Sequence, residues 1–145
     1  MDRLLEREQR GPLYLRSPAV ASLTVDAFLH GAENLRFYEL HAYVVMANHV
    51  HLLITPFADL AKITHSLKRF TAREANRLLG LTGKPFWQDE SYDRLVRDPA
   101  EFERILRYLE YNPVRAGLVA TPEDFPWSSA GRRLKIGAQL AKLPH

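Results

Sequence analysis

The sequence predicts an α+β domain in which helices pack on one face of an antiparallel sheet. Three observations carry that prediction. Apolar residues recur at helical spacing in some segments and fill short runs rich in Val, Tyr and Phe in others, in the order helix, two strands, helix, strand, helix. One helix carries a start signal of its own, Asp98-Pro99-Ala100-Glu101, which offers an N-cap, a proline at the first helical position and a glutamate to complete a capping box. The length of 145 residues, 46% of them hydrophobic, suits a single domain over 1–145 with one core.

In order along the chain, residues 1–17 are charged and helix-like, with Gly11 and Pro12 breaking any helix begun at Asp2. Pro18 opens a first helix whose stripe of Val20, Leu23, Phe28 and Leu29 runs to about Leu29. Arg36–Met46 and His49–Thr55, separated by Ala47-Asn48 and ended by Pro56, read as two strands of a hairpin. Asp59–Leu79 is the clearest helix. Leu60, Ile63, Leu67 and Phe70 form its inward face, and His65, Arg69, Arg73 and Arg77 climb one side of it. A turn with Gly80, Gly83 and Pro85 follows, then a strand over Phe86–Arg97. The capped helix buries Phe102, Ile105, Leu106 and Leu109 and ends near Pro113.

Composition excludes several function classes. Without cysteine there is no disulfide scaffold, zinc–thiolate site or thiol nucleophile. No apolar run approaches the roughly 18 residues of a membrane span, and the charged N-terminus does not read as a signal peptide, so a cytoplasmic protein with no membrane partner is expected. Net charge is only +3, but its distribution is uneven. Lys62, Lys68, Arg69, Arg73, Arg77 and Lys84 face a single acid, Glu74, and the chain after Asp124 holds Arg132, Arg133, Lys135 and Lys142 with no acid. A nucleic-acid binder concentrates charge in this way, although a solvated helix face gives the same count.

Two constellations could do chemistry. His49 and His51 are two apart on a strand, so both imidazoles face one way and make half of a metal site. Tyr108 and Asn112 are four apart on the capped helix and lie beside its apolar stripe, with Tyr108 expected to look toward the sheet and Tyr111 toward solvent. An amide oxygen suits Mg²⁺ or Mn²⁺ and a tyrosine hydroxyl can act as nucleophile; a core-edge tyrosine and a helix-terminal asparagine are the plain structural alternative. Asp89, Glu90 and Asp93 have no base to pair with, and no glycine-rich phosphate loop or serine nucleophile elbow is present.

The segment Val45-Met46-Ala47-Asn48-His49-Val50-His51-Leu52-Leu53 resembles the His-hydrophobic-His signature of the single-strand transposases of the HUH endonuclease superfamily. Phe86-Trp87-Gln88 with Ser91-Tyr92-Asp93 resembles their middle block. Tyr108 through Asn112-Pro113-Val114-Arg115-Ala116-Gly117-Leu118-Val119, followed by Pro126-Trp127-Ser128-Ser129, is similar to the closing block of the REP-associated tyrosine transposases. The resemblance implies a ferredoxin-like (RRM-like) HUH domain that cleaves and rejoins single-stranded DNA at hairpin-containing sites. It assigns Tyr108 as the nucleophile that forms a 5′-phosphotyrosine, and His49, His51 and Asn112 as ligands of a divalent metal, Mg²⁺ or Mn²⁺. Lys68, Arg69, Arg73, Arg77, Arg115, Arg132 and Arg133 are then the DNA-contacting set. The competing readings are a catalytically inactive, domesticated relative that binds DNA hairpins, and a metal-dependent nuclease that uses water. Two departures stand out. Ala47 replaces a proline, and the strand that precedes the first helix in this family is not evident: Leu13–Leu15 substitutes for it, the sheet is one strand short, or a partner chain in a homodimer supplies the edge.

Overall fold

The computed structural model describes residues 1–9 and 13–132, with the backbone alone for residues 89–92. The strands are β1 (Arg3–Gln9), β2 (Tyr38–Val45), β3 (His49–Pro56) and β4 (Trp87–Leu95), and the helices are α1 (Pro18–Glu33), α2 (Leu60–Leu79), α3 (Pro99–Glu110) and the short α4 (Asn112–Arg115). All strand pairings are antiparallel, in the order β2-β3-β1-β4.

The first strand is therefore present, and it lies inside the sheet between β3 and β4. This corrects the expectation of a helix-like N-terminus and a missing strand; Leu13–Leu15 does not replace it, because Tyr14–Arg16 is a single 3₁₀ turn. The physical reason is that Arg3-Leu4-Leu5-Glu6-Arg7-Glu8-Gln9 is rich in helix formers, yet pairing on both sides outweighs local propensity. Leu4 and Leu5 are each buried, one on either face of the sheet. A single leucine per face is too short a signal for a two-residue period. Gly11 and Pro12 lie outside the described residues.

Helices cover both faces rather than one. Tyr43, Val45, Val50, Leu52 and Ile54 face a core with Phe28 of α1 and Ile63 of α2. Ala42, Val44 and Leu53 face the other way, against Ile105 and Leu109 of α3. Strands β2 and β3 are apolar on both sides, so both sides require cover.

Local contacts fix the helices. The Tyr38 hydroxyl donates to the Phe28 carbonyl at 2.6 Å. Its ring lies so close to α1 that a Cβ on Gly31 would fall 2.5 Å from the Tyr38 oxygen. In α2 Ile63 is fully buried, but Phe70 is 40% exposed instead of inward. The next residue, Thr71, is buried and accepts from Trp87 at 2.8 Å, while Phe70 lies outside with the Arg73 guanidinium over its ring. Gly80 ends α2 in the left-handed conformation. Asp98 caps α3 by accepting from the Glu101 N–H at 2.8 Å. The Glu101 carboxylate pairs with Arg94 of β4 at 3.3 Å.

The chain then returns to the edge of β2, where Val44 bridges Ser128 and the Val45 N–H donates to the Trp127 carbonyl at 2.8 Å. The Ser129 hydroxyl bonds both Tyr43 and the buried Glu110 carboxylate. This segment covers part of an otherwise open sheet edge.

Candidate active site

Alternation along β3 puts His49, His51 and Leu53 on the α3 side of the sheet. The two imidazole rings stand 4.9 Å apart at 84° to one another. Register with β1 sets a carboxylate opposite each: Glu8 pairs with His49 and Glu6 with His51. The Glu6 Oε1 lies 3.4 Å from His51 Nδ1, and His49 Nδ1 lies 2.9 Å from the Asn48 side-chain oxygen.

Both histidines are held neutral. Burial drives the His51 pKa down to about 4, helped by the neighbouring His49 and by the Arg115 guanidinium. Burial also lowers His49, against an opposing pull from Glu8. The Glu6 carboxyl is raised by burial, partly offset by Arg94. His51 Nε2 is buried and has no hydrogen-bond partner. A buried, unprotonated imidazole nitrogen left without a partner is costly unless something accepts its lone pair. A carboxylate on the opposite ring nitrogen is the usual companion of a metal-bound histidine. The donor set thus fits a divalent ion. Among the described residues no group of three or more His, Cys, Asp or Glu could hold one.

Helix α3 differs from expectation in one respect. Tyr108 is 60% exposed and Tyr111 49%, so Tyr108 does not turn into the sheet. The apolar stripe of Phe102, Ile105, Leu106 and Leu109 spreads to the other side of Ile105, so Tyr108 lies roughly 110° around the helix from its middle and clears the strands. Arg115 holds Tyr108 instead, with its guanidinium 4.1 Å from the ring centroid and a hydrogen bond to the Tyr108 carbonyl. The same guanidinium acts electrostatically on His51, so the closing segment and the histidine strand share this face. Asn112 opens α4 with Pro113 behind it; the helix breaks at Tyr111, where proline lacks the N–H to continue α3.

The basic stripe is not part of this assembly. Arg69, Arg73 and Arg77 are exposed on α2, which packs on the opposite face of the sheet, and Lys68 beside them is half-buried. Arg73 and Arg77 both contact Glu74. Arg132 pairs with Glu33 at 3.5 Å, and Arg133, Lys135 and Lys142 lie outside the described residues. Asp93 pairs with Arg3 at 3.4 Å. Glu6 and Glu8 were missed by sequence reasoning; a strand period through Leu4, Glu6 and Glu8 was the available signal.

Residues 20–112, well over half of the chain, match the profile described as IS200-like transposase. The chain belongs to the IS200-like transposase family. Relatives include a protein of Haemophilus influenzae assigned as a REP-associated tyrosine transposase, 29% identical over 68% of this chain and 62% of its own length. The REP-associated tyrosine transposase of Escherichia coli is 28% identical over 70% of this chain and 60% of its own length. This IS200-like chain thus spans about 60% of the length of these relatives. Its fold is that of a REP-associated tyrosine transposase solved bound to a REP hairpin, at a TM-score of 0.72 and 20% identity, covering 94% of this chain and 80% of that one. A transposase candidate from Deinococcus radiodurans R1 matches at 0.54 and 22% identity, covering 76% and 88%. The α+β fold expected for an IS200-like transposase is present, with its antiparallel sheet and packed helices. No helix among the described residues is long and apolar enough to cross a membrane.

Proposed function

We propose that this chain is a transposase that cleaves and rejoins single-stranded DNA through a 5′-phosphotyrosine on Tyr108, with His49, His51 and Asn112 as ligands of Mg²⁺ or Mn²⁺. The observation that carries this reading is the buried, neutral and unpartnered His51 Nε2 beside His49. A divalent ion there supplies Lewis-acid polarisation of the scissile phosphate and offsets charge at the transferring phosphorus.

The chain's own residues do the rest. Glu6 fixes the His51 ring by its contact with Nδ1, which leaves Nε2 as the donor. Arg115 holds the Tyr108 ring from above and leaves its hydroxyl free to reach a strand from solvent. As the Tyr108 oxygen attacks phosphorus, the phenol loses its proton, the bond to the 3′-oxygen breaks and the departing oxygen ends as a free 3′-hydroxyl. One phosphodiester is exchanged for another, so the step reverses and ends can be rejoined. The hairpin carried by the related structure supports hairpin-containing sites as the target. The basic stripe of α2 and Arg132, remote from the histidines, suit contacts to the DNA backbone away from the cut. The ground for an inactive, binding-only relative was a missing first strand, and β1 removes that ground.

The test incubates labelled single-stranded hairpin oligonucleotides with Mn²⁺ and resolves the products on a denaturing gel. A metal-dependent covalent band that is lost in Tyr108→Phe and in His51→Ala is the expected result. Cleavage with no covalent species, persisting in Tyr108→Phe, would assign the chemistry to water.

A further inference from the structure

We propose that the outer side of α3 forms a single-strand track, in which Tyr111 stacks one unpaired base and Arg104 and Arg107 hold the adjoining phosphates as the strand reaches Tyr108. This inference rests on the reading of single-stranded DNA as substrate and names the surface that would grip it. An open groove of about 590 Å³ is lined by Arg104, Arg107, Tyr108, Tyr111 and Arg115, without a carboxylate among them. Positions 104, 107, 108 and 111 recur at three and four residues, so they follow one side of the helix turn by turn.

The charges on this side are available. Among the described residues neither the Arg104 nor the Arg107 guanidinium is paired with a carboxylate, although Glu103 stands one turn before Arg107. By contrast Arg115 is committed to Tyr108, and Arg94 to Glu101. Tyr111 is 49% exposed and lines this groove at the C-terminal end of α3. Guanidinium groups interleaved with exposed aromatic rings are the arrangement that binds single strands with little sequence preference, because every base has a face to stack. Duplex DNA offers the phosphates but not the free base, so the ring makes the preference single-stranded.

The test measures binding of a fluorescein-labelled oligothymidylate by anisotropy in EDTA over a range of salt, so that no cleavage is needed for the signal. Arg104→Ala with Arg107→Ala is expected to weaken binding and to reduce the slope of log K against log salt by about 1.4, two phosphate contacts at roughly 0.7 each. Tyr111→Ala is expected to bind about tenfold more weakly, with Tyr111→Phe restoring wild-type affinity. Circular dichroism checks that each variant is folded. Wild-type affinity and slope in the arginine pair, or equal losses for oligothymidylate and for duplex of the same length in Tyr111→Ala, would overturn the track. A covalent adduct formed normally alongside unchanged binding would overturn the track alone. Loss of binding in these variants with no adduct in the wild type would leave the track standing and remove the proposed chemistry.

Discussion

His51 ties the fold to the site, and acid is the perturbation that exposes it. Its side chain is 12% exposed, and burial with two neighbouring groups takes its pKa down to about 4 from an ordinary value near 6.5. A depressed histidine pKa means that the unfolded chain binds the proton more readily than the folded one. The stability this residue contributes by being neutral is complete above pH 6.5, is lost progressively as pH falls from 6.5 to 4, and changes no further below that. Between pH 7.5 and 4.5 the loss amounts to about 2–3 kcal/mol, at roughly 1.4 kcal/mol per pH unit. Glu6 works in the opposite sense, since its raised pKa favours the folded state as pH falls, so a difference measurement is needed. Urea unfolding in EDTA at both pH values, for wild type and for His51→Gln, provides it. The wild type is expected to lose about 2–3 kcal/mol more than the variant across that interval. Parallel losses in the two proteins would refute the claim that this imidazole is held neutral by burial.

Other outcomes follow from the same contacts. Glu6→Gln, which keeps the shape but weakens the partner of His51 Nδ1, is expected to lower Mn²⁺ affinity about 10- to 100-fold by titration calorimetry, with unfolding little changed. Tyr108→Phe keeps the ring under Arg115 and is expected to stay within about 0.5 kcal/mol of wild type in urea while losing covalent product. Leu109→Ala, at a fully buried position between α3 and the sheet, is expected to cost about 2–5 kcal/mol. Asp98→Ala removes the cap of α3 and is expected to cost about 1 kcal/mol in the same assay.

The elements that were legible in the sequence are those whose own periodicity matched their burial. Ile63 and Leu67 marked α2, Ile105 and Leu109 marked α3, and the alternation around His49 and His51 placed both imidazoles on one face. What escaped depended on pairing between distant segments. Residues Arg3–Gln9 look helical until β3 and β4 close around them, and only then do Glu6 and Glu8 come to lie opposite the histidines. Tyr108 was misplaced for a related reason: helix geometry gives an angle, but not the width of the strand surface on which the helix sits. Phe70 is exposed whereas Thr71 beside it is buried and bonded by Trp87, sixteen residues further on. No local pattern announces such a contact.

The account turns on which oxygen becomes joined to DNA. The covalent product formed with a hairpin oligonucleotide and Mn²⁺, digested with protease and nuclease and mapped by mass spectrometry, is predicted to carry its nucleotide on the peptide containing Tyr108, at that residue. A nucleotide on Tyr111 or Tyr92, or cleaved DNA with no modified tyrosine, would contradict it.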